Sequence, residues 1–347
     1  MQATRPGQLS ATFLGVAAIL MWGSLIGITR SVVEQLGVLW AAAVVNLLGG
    51  GLGLLILTPR MGRAAIPRGM PGKYLLGCGL LFVVYNAALY PAIRMAADRT
   101  QTVEVGLVNY LWPALTLTLA VPILGKKARP TLVPGLAMAL MGIWLGMTTG
   151  STVSLATIRA HFQNNPSPYL LGLVAAGSWS LYSNLARRWG KTVDRGAVPL
   201  FLLATGLTLA FAAVVSEPFP RHTWTVRAAA ELLYLAIFPT LLAYIFWDIA
   251  MRKGNIVAVL SIAFFTPLIS TFISCVYLRI TMGLQLWGAC GLVILGAAVC
   301  KYSVIDSGGE QVSEPDPSPD AVPSSRIGEV EQSSSDLSRR TSRMTPE

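Results

Sequence analysis

The chain has 347 residues, of which 54% are hydrophobic and only 12% charged, with a mean hydropathy of +0.60. Two soluble domains, the ordinary reading of such a length, are excluded, because most of the chain is too apolar to face water. The 26 basic and 16 acidic residues leave a net charge of +10, yet residues 303–347 hold nine acids and four arginines, so residues 1–302 carry 22 basic against 7 acidic groups. The basic part is the apolar part, which points to membrane orientation and away from a nucleic-acid partner.

A bilayer-spanning helix needs about 20 mostly apolar residues. Ten such windows occur in chain order, at 11–29, 38–58, 74–93, 102–124, 131–148, 169–187, 197–216, 231–251, 255–278 and 282–301. The first carries Trp22 and Ser24 and has no small-x-small cleavage pattern behind it, so it is expected to be retained. The second holds Asn46 with Gly49 and Gly53, whose spacing lets helices pack closely. Tyr85, Asn86 and Tyr90 follow in the third, the last two on one face. The fourth begins with Glu104 and continues through Asn109, Tyr110, Trp112, Pro113 and Thr116, and the fifth repeats the glycine spacing at Gly142 and Gly146.

After a connection at 149–168, the sixth window places Trp179, Tyr182 and Ser183 on one face, and the eighth does so with Thr240, Tyr244, Trp247 and Asp248. Asp248 stands four residues before Arg252, the spacing of a helix-end ion pair. The ninth contains Ser261, Phe264, Phe265 and Pro267. The last 45 residues, with runs such as Glu314-Pro315-Asp316-Pro317-Ser318-Pro319-Asp320, bury too little apolar area to offset ordering entropy and are expected to form a disordered acidic tail from 303 to 347. Cys78, Cys275, Cys290 and Cys300 all fall inside spans without paired or metal-like spacing, and His161 and His222 lie in connections, so neither a metal nor a cofactor is expected.

Lys and Arg in alternate connections divide fifteen to seven, with both termini on the richer side. An even number of spans then puts both termini in the cytoplasm. The chain also repeats itself. An offset of 157 places Gly15, Trp22 and Arg30 on Gly172, Trp179 and Arg187, and an offset of 154 places Tyr90, Val105, Pro113 and Gly142 on Tyr244, Val259, Pro267 and Gly296. Halves of five helices enter the membrane from opposite sides, so the expected fold is all-α, with ten transmembrane helices as two inverted five-helix repeats at 10–148 and 169–302 and a central site between them. Pro113 and Pro267, matched between the repeats, are candidate hinges, whereas Pro91, Pro122 and Pro239 are kinks or site elements.

Polar and aromatic groups in mid-span are the candidate lining: Trp22, Ser24, Asn46, Tyr85, Asn86, Tyr90, Asn109, Tyr110, Trp112, Trp179, Tyr182, Tyr244 and Phe264. Tyr74, Trp144 and Trp287, and Trp247 near a helix end, read instead as interfacial belt residues. Aromatic faces with neutral hydrogen-bonding groups suit a small, net-neutral, partly apolar solute such as an amino acid with a large side chain. Glu104 is either structural or a coupling acid. With no acid at the centre of a span, a weakly coupled or uncoupled carrier is expected. A drug or toxic-cation efflux carrier would want a carboxylate facing the cavity, and a membrane-embedded transferase a cluster of His, Asp or Glu near one face.

The run Glu104-Val105-Gly106-Leu107-Val108-Asn109-Tyr110-Leu111-Trp112-Pro113, the segment Ser178-Trp179-Ser180-Leu181-Tyr182, and Gly254-Asn255 leading to Phe265-Thr266-Pro267 resemble the YddG-type aromatic amino-acid exporters of the drug/metabolite transporter superfamily, with tandem EamA domains. The resemblance covers about residues 10–302. It implies ten helices, both termini inside, and export of Phe, Tyr, Trp and other amino acids from a bacterial cytoplasm, with Trp22, Tyr85, Tyr110, Trp112 and Trp179 as the aromatic lining; the chain is expected to act as a monomer in the inner membrane. Many EamA repeats end the fourth helix with Leu-Gly-Glu, whereas here Leu124-Gly125 is followed by Lys126 and the ninth window ends Leu278-Arg279; a role for that acid does not carry over.

Overall fold

Apolar runs bounded by glycine, proline and short polar caps close into helices. The computed structural model describes residues 6–23, 26–61, 70–149, 152–193, 196–220, 225–266, 268–269 and 284–305. In order these form α1 (Pro6–Gly23), α2 (Ile26–Leu36), α3 (Val38–Met61), a π-helical turn (Lys73–Cys78) leading into α4 (Gly79–Met95), α5 (Arg99–Asn109), α6 (Trp112–Leu124) and α7 (Leu132–Thr148). There follow α8 (Leu155–Asn164), α9 (Ser167–Gly190), α10 (Val198–Ser216), α11 (Val226–Leu235), a π-helical segment (Ala236–Leu242), α12 (Ala243–Lys253), α13 (Ile256–Ala263) and α14 (Leu284–Ser303). Two-residue strands, β1 (Lys127–Ala128) and β2 (Val304–Ile305), pair antiparallel.

Among the described residues, five stretches are long and apolar enough to cross a bilayer: Val38–Ile56, Lys73–Met95, Arg99–Leu124, Val198–Ser216 and Val226–Lys253. α9 has the length, at 24 residues, but Ser178, Ser180, Ser183 and Asn184 interrupt its apolar run. All four are buried within the bundle, where they face protein rather than lipid.

Proline does different work at different places. Pro91 and Pro122 lie inside α4 and α6, whereas around Pro239 the backbone widens into the π-helical segment, which re-registers the hydrogen bonds that the missing donor would break. Pro113, expected mid-helix, is in the first turn of α6, because the chain turns at Tyr110 and Leu111 between α5 and α6. There its missing N–H costs nothing. Pro267 lies outside the described residues.

The helices pack in pairs: α3 on α10, α7 on α14, α4 on α9 and α1 on α12, with α6 also on α9 and α13 on α1. Small residues make these approaches possible. A Cβ on Gly142 would come within 2.6 Å of Val293 Cγ2 and 2.8 Å of its backbone N, and one on Gly49 within 2.9 Å of the Ala236 carbonyl.

Side-chain links define the two ends of the bundle. At the near end, Asn255 N donates to Thr12 Oγ1 at 2.9 Å, Arg187 reaches the carbonyls of Met251 and Gly254, and Thr131 meets Ser303 at 2.7 Å. The start of α1, the end of α9, the α12–α13 link and the end of α14 therefore lie together. At the far end, Glu217 accepts from Leu39 N at 3.1 Å and pairs with Arg94 at 3.2 Å, and Asn165 Nδ2 donates to the Met95 carbonyl at 2.9 Å. The connection at 149–168 carries α8, opened by a reciprocal Ser154–Thr157 cap. Order also runs past the expected start of the tail at 303, since Ser303 closes α14 and Val304 and Ile305 pair with β1; residues 306–347 lie outside the described part.

Candidate functional site

The breaks in the helices converge on one cavity of about 240 Å³. The turn between α5 and α6 supplies Asn109, Tyr110 and Trp112, and the π-helical segment supplies Pro239 and Thr240. α2 and α3 give an apolar wall that includes Val32, Val33, Ala41 and Val45, and α4 gives Tyr85, Asn86 and Tyr90. Trp22, Trp179 and Tyr244 complete the lining. Because α2, which carries Thr29 and Val33, runs to the far-end turn at Gly37 beside Val38, the cavity extends toward the far end. None of the described lining residues is charged.

Toward the near end the cavity is closed by stacked rings. Trp22 meets Trp179 edge-on at 5.8 Å and Tyr244 at 5.5 Å, and Tyr85 packs on Trp179 at 4.8 Å. Trp112 abuts Trp179 at 6.4 Å and Trp247 at 5.2 Å. Phe82 lies behind, 4.8 Å from Tyr244 and 5.5 Å from Tyr182. Edge-to-face contacts of this kind contribute about 0.5–1.5 kcal/mol per pair beyond burial, so the floor is stiff.

Polar groups orient these rings. Trp22 Nε1 donates to the Pro239 carbonyl at 3.0 Å, and Trp247 Nε1 to Ser183 Oγ at 3.2 Å. α9 is held against the start of α6 by Ser180 Oγ, 3.0 Å from the Trp112 carbonyl, and by Asn184 Nδ2, which donates to the Thr116 carbonyl at 2.9 Å. Asn109 Oδ1 is buried with no partner among the described residues.

The expected lining residues thus separate. Trp22, Tyr85, Asn86, Tyr90, Asn109, Tyr110, Trp112, Trp179 and Tyr244 meet at the cavity. Asn46 does not line it: its Nδ2 is turned back to the Ala42 carbonyl at 2.8 Å. Tyr182 lies below the floor and donates to Asp248 Oδ1 at 3.1 Å. Phe264 packs in a separate apolar cluster with Ile143, Ala289 and Val293, because α13 ends at Ala263 and the following turn carries the ring away from the Ser261 face. Ser24 lies outside the described residues. Thr29, Leu89, Leu235 and Thr266 also line the cavity; Thr29, seven residues after Trp22, has a spacing from which a helical stripe can be traced in the sequence.

Tyr74 and Trp247 are not belt residues. Both are fully buried, Tyr74 because its hydroxyl donates to Asp248 Oδ1 at 2.9 Å, Trp247 because it is part of the ring cluster. Trp287, by contrast, is 61% exposed. Glu104 is buried at the far end and fully engaged: it accepts from Thr157 Oγ1 at 2.7 Å and from Tyr169 OH, and lies 2.8 Å from His161 Nδ1. His161 sits on α8 rather than in a loop, with Nε2 3.5 Å from Asp98. No cluster of His, Cys, Asp and Glu among the described residues could hold a metal ion.

The sequence matches the EamA-like transporter family over residues 9–148 and again over 166–301. The chain belongs to the EamA-like transporter family. As a member of that family it is a membrane transporter by descent, and its relatives narrow the comparison. It is 31% identical over 291 residues to "Aromatic amino acid exporter YddG" of Salmonella typhimurium (strain 14028s / SGSC 2262), covering 84% of this chain and 96% of that protein. Proteins of the same name from Escherichia coli (strain K12) and Ancylobacter novellus are each 30% identical with the same two coverages. Among solved structures, one protein crystal structure superposes on this EamA-like chain with a TM-score of 0.69 at 27% identity, covering 84% of this chain and 97% of the other.

Proposed function

We propose that the protein is a secondary carrier that exports amino acids, aromatic and other mostly neutral ones, from the bacterial cytoplasm by alternating access through the cavity between two inverted five-helix repeats. The observation that carries this reading is the lining itself: among the described residues it has seven Trp and Tyr rings, two asparagines and no charge. Rings contribute apolar area to a large side chain, while the Asn109 Oδ1 acceptor and the backbone at the α5–α6 break are groups that an ammonium and a carboxylate can engage. The names of the relatives agree with that chemistry.

Helix pairing supports the repeat. Numbering the ten spans in order, α3 with α10 is the second with the seventh and α7 with α14 the fifth with the tenth, while α4 with α9 is the third with the sixth and α1 with α12 the first with the eighth. Each pairing maps onto itself or onto another when the halves are exchanged, as two repeats related by a two-fold axis require. The basic ends of the spans, including Lys126, Lys127, Arg188, Lys191 and Lys253, belong to the near end, which supports a cytoplasmic near end and an inner-membrane location. In this reading the cavity faces outward, and the protein acts as a monomer on a small solute in the lipid bilayer.

A drug or toxic-cation carrier of the same superfamily is disfavoured by the engagement of Glu104 with three partners away from the cavity, and a transferase by the lack of an acid or histidine among the described lining residues. The test is counterflow in proteoliposomes, with labelled phenylalanine competed by each amino acid in turn. Trp, Tyr and Phe are expected to compete, Lys and Glu not. Flux indifferent to every amino acid overturns the proposal. Proton uptake accompanying substrate flux at fixed membrane potential would overturn the uncoupled form of it.

A further inference from the structure

One buried carboxylate ties together the helices of the near end. Asp248 Oδ2 accepts from Arg252 Nε at 2.7 Å, and the two side chains are 1% and 0% exposed. Its Oδ1 accepts from Tyr74 OH on the turn before α4 and from Tyr182 OH on α9. Arg252 also donates to the Val193 carbonyl in the link between α9 and α10, and Ala197 N donates to Tyr74 OH at 3.3 Å. The backbone closes over the pair at Gly196, where a Cβ would collide with Asp248 Oδ2 and come within 3.0 Å of Tyr74 OH. Stability alone explains this poorly, since desolvating two charges offsets much of their attraction, and Arg252 Nη2 has no partner among the described residues. Its place is more telling: it lies directly beneath the ring floor, between the cavity and the near-end surface.

The sequence holds a counterpart. The 154-residue offset that places Tyr90 on Tyr244 also places Arg94 on Asp248 and Asp98 on Arg252, keeping the four-residue spacing and exchanging the signs. That second pair is at the far end and open: Arg94 is 36% exposed on its bridge to Glu217, and Asp98 is 53% exposed. Exchange of the two ends between states is what alternating access by inverted repeats entails.

We propose that Asp248 and Arg252 are the lock of the near-end gate, and that Arg94 and Asp98 take over the buried, paired role at the far end when the cavity opens to the near end. The proposal rests on the alternating-access reading above, and it makes these four positioning residues of the transport cycle.

Cys78, buried one turn after Tyr74, is a native reporter of near-end opening. In nanodiscs, with Cys275, Cys290 and Cys300 replaced by Ala, the rate of Cys78 alkylation by a polar maleimide is measured alongside that of a second chain carrying Thr29→Cys at the far-end wall with Cys78→Ala. Asp248→Asn is expected to raise the Cys78 rate at least about tenfold, the population change given by one lost charge-assisted hydrogen bond, and to lower the Thr29→Cys rate. Adding Arg94→Gln is expected to bring the Cys78 rate back down. Rates unchanged in Asp248→Asn, or both rates rising together as in a loosened fold, overturn the lock, and a Cys78 rate that Arg94→Gln leaves raised overturns the counterpart. Should Asp248→Asn not fold, Tyr74→Phe removes both hydrogen bonds of the hydroxyl, to Asp248 and from Ala197 N, with the ion pair intact, and the same opposed changes are expected, at least about threefold. Labelling is read without substrate, so a chain that carries another solute still gives this pattern, whereas flat rates in a chain that exports amino acids remove the gate and leave the export.

Discussion

Trp22 Nε1 donates to the carbonyl of Pro239 at 3.0 Å, so the first helix of one half is tied to the π-helical segment of the other across the mouth of the cavity floor. Replacing Trp22 by Phe keeps a ring against Trp179 and Tyr244 but leaves that carbonyl to water. The expected result is a loss of about 1 kcal/mol in stability and a several-fold fall in phenylalanine counterflow per folded molecule. Unchanged flux would return Trp22 to a packing role.

Trp179 sits at the centre of the floor, touching Trp22, Phe82, Tyr85, Trp112, Tyr182, Tyr244 and Trp247. Truncation to Ala opens a cavity and is expected to cost about 3–5 kcal/mol, which a thermal melt in detergent would read. Trp179→Phe costs less and is the better probe of substrate contact: competition by tryptophan is expected to weaken with little change in the melt. If both variants melt and transport like the parent, the ring cluster is not the floor of the site.

Glu104 holds α5 to α8 and α9 through Thr157, His161 and Tyr169. Glu104→Gln removes the charge from all three interactions and is expected to destabilise the fold by about 1.5–3 kcal/mol, while flux per folded molecule stays within about twofold. A large loss of flux with an unshifted melt would instead give Glu104 a part in coupling.

Gly142→Ala drives a methyl group into Val293 at the α7–α14 contact. Overpacking of this kind costs about 1–3 kcal/mol, and the melt is expected to fall accordingly, with the order of competing amino acids unchanged because neither α7 nor α14 contributes a described lining residue. A changed order of competitors would mean that α7 and α14 shape the cavity.

What the sequence could and could not say divides along a physical line. Trp22 and Trp179, at equivalent places in two repeats, and Tyr85, Asn86 and Tyr90, on one stretch of helix, are legible because helical spacing is local. Pro113 is visible as a break, but its place in the first turn of α6 depends on the Tyr110–Leu111 turn, which hydropathy does not show. Tyr74 and Trp247 read as interfacial in the sequence because their distance from a span end is all that the linear chain displays. The group that buries Tyr74 is Asp248, 174 positions away. Phe264 fails for the opposite reason: its stripe is real as far as Ala263, where the helix stops.

The polar interior of α9 has a bearing on how the protein is made. With serines and Asn184 along it and Arg187 and Arg188 in its last turn, α9 is less able than α3 or α10 to leave the translocon for lipid by its own hydrophobicity. Its hydroxyl and amide groups find their partners on α6, in the carbonyls of Trp112 and Thr116, a helix synthesised earlier. On this physical ground the first half of the chain is expected to act as an insertion scaffold for the second, so that the second half made alone inserts less well than it does behind the first.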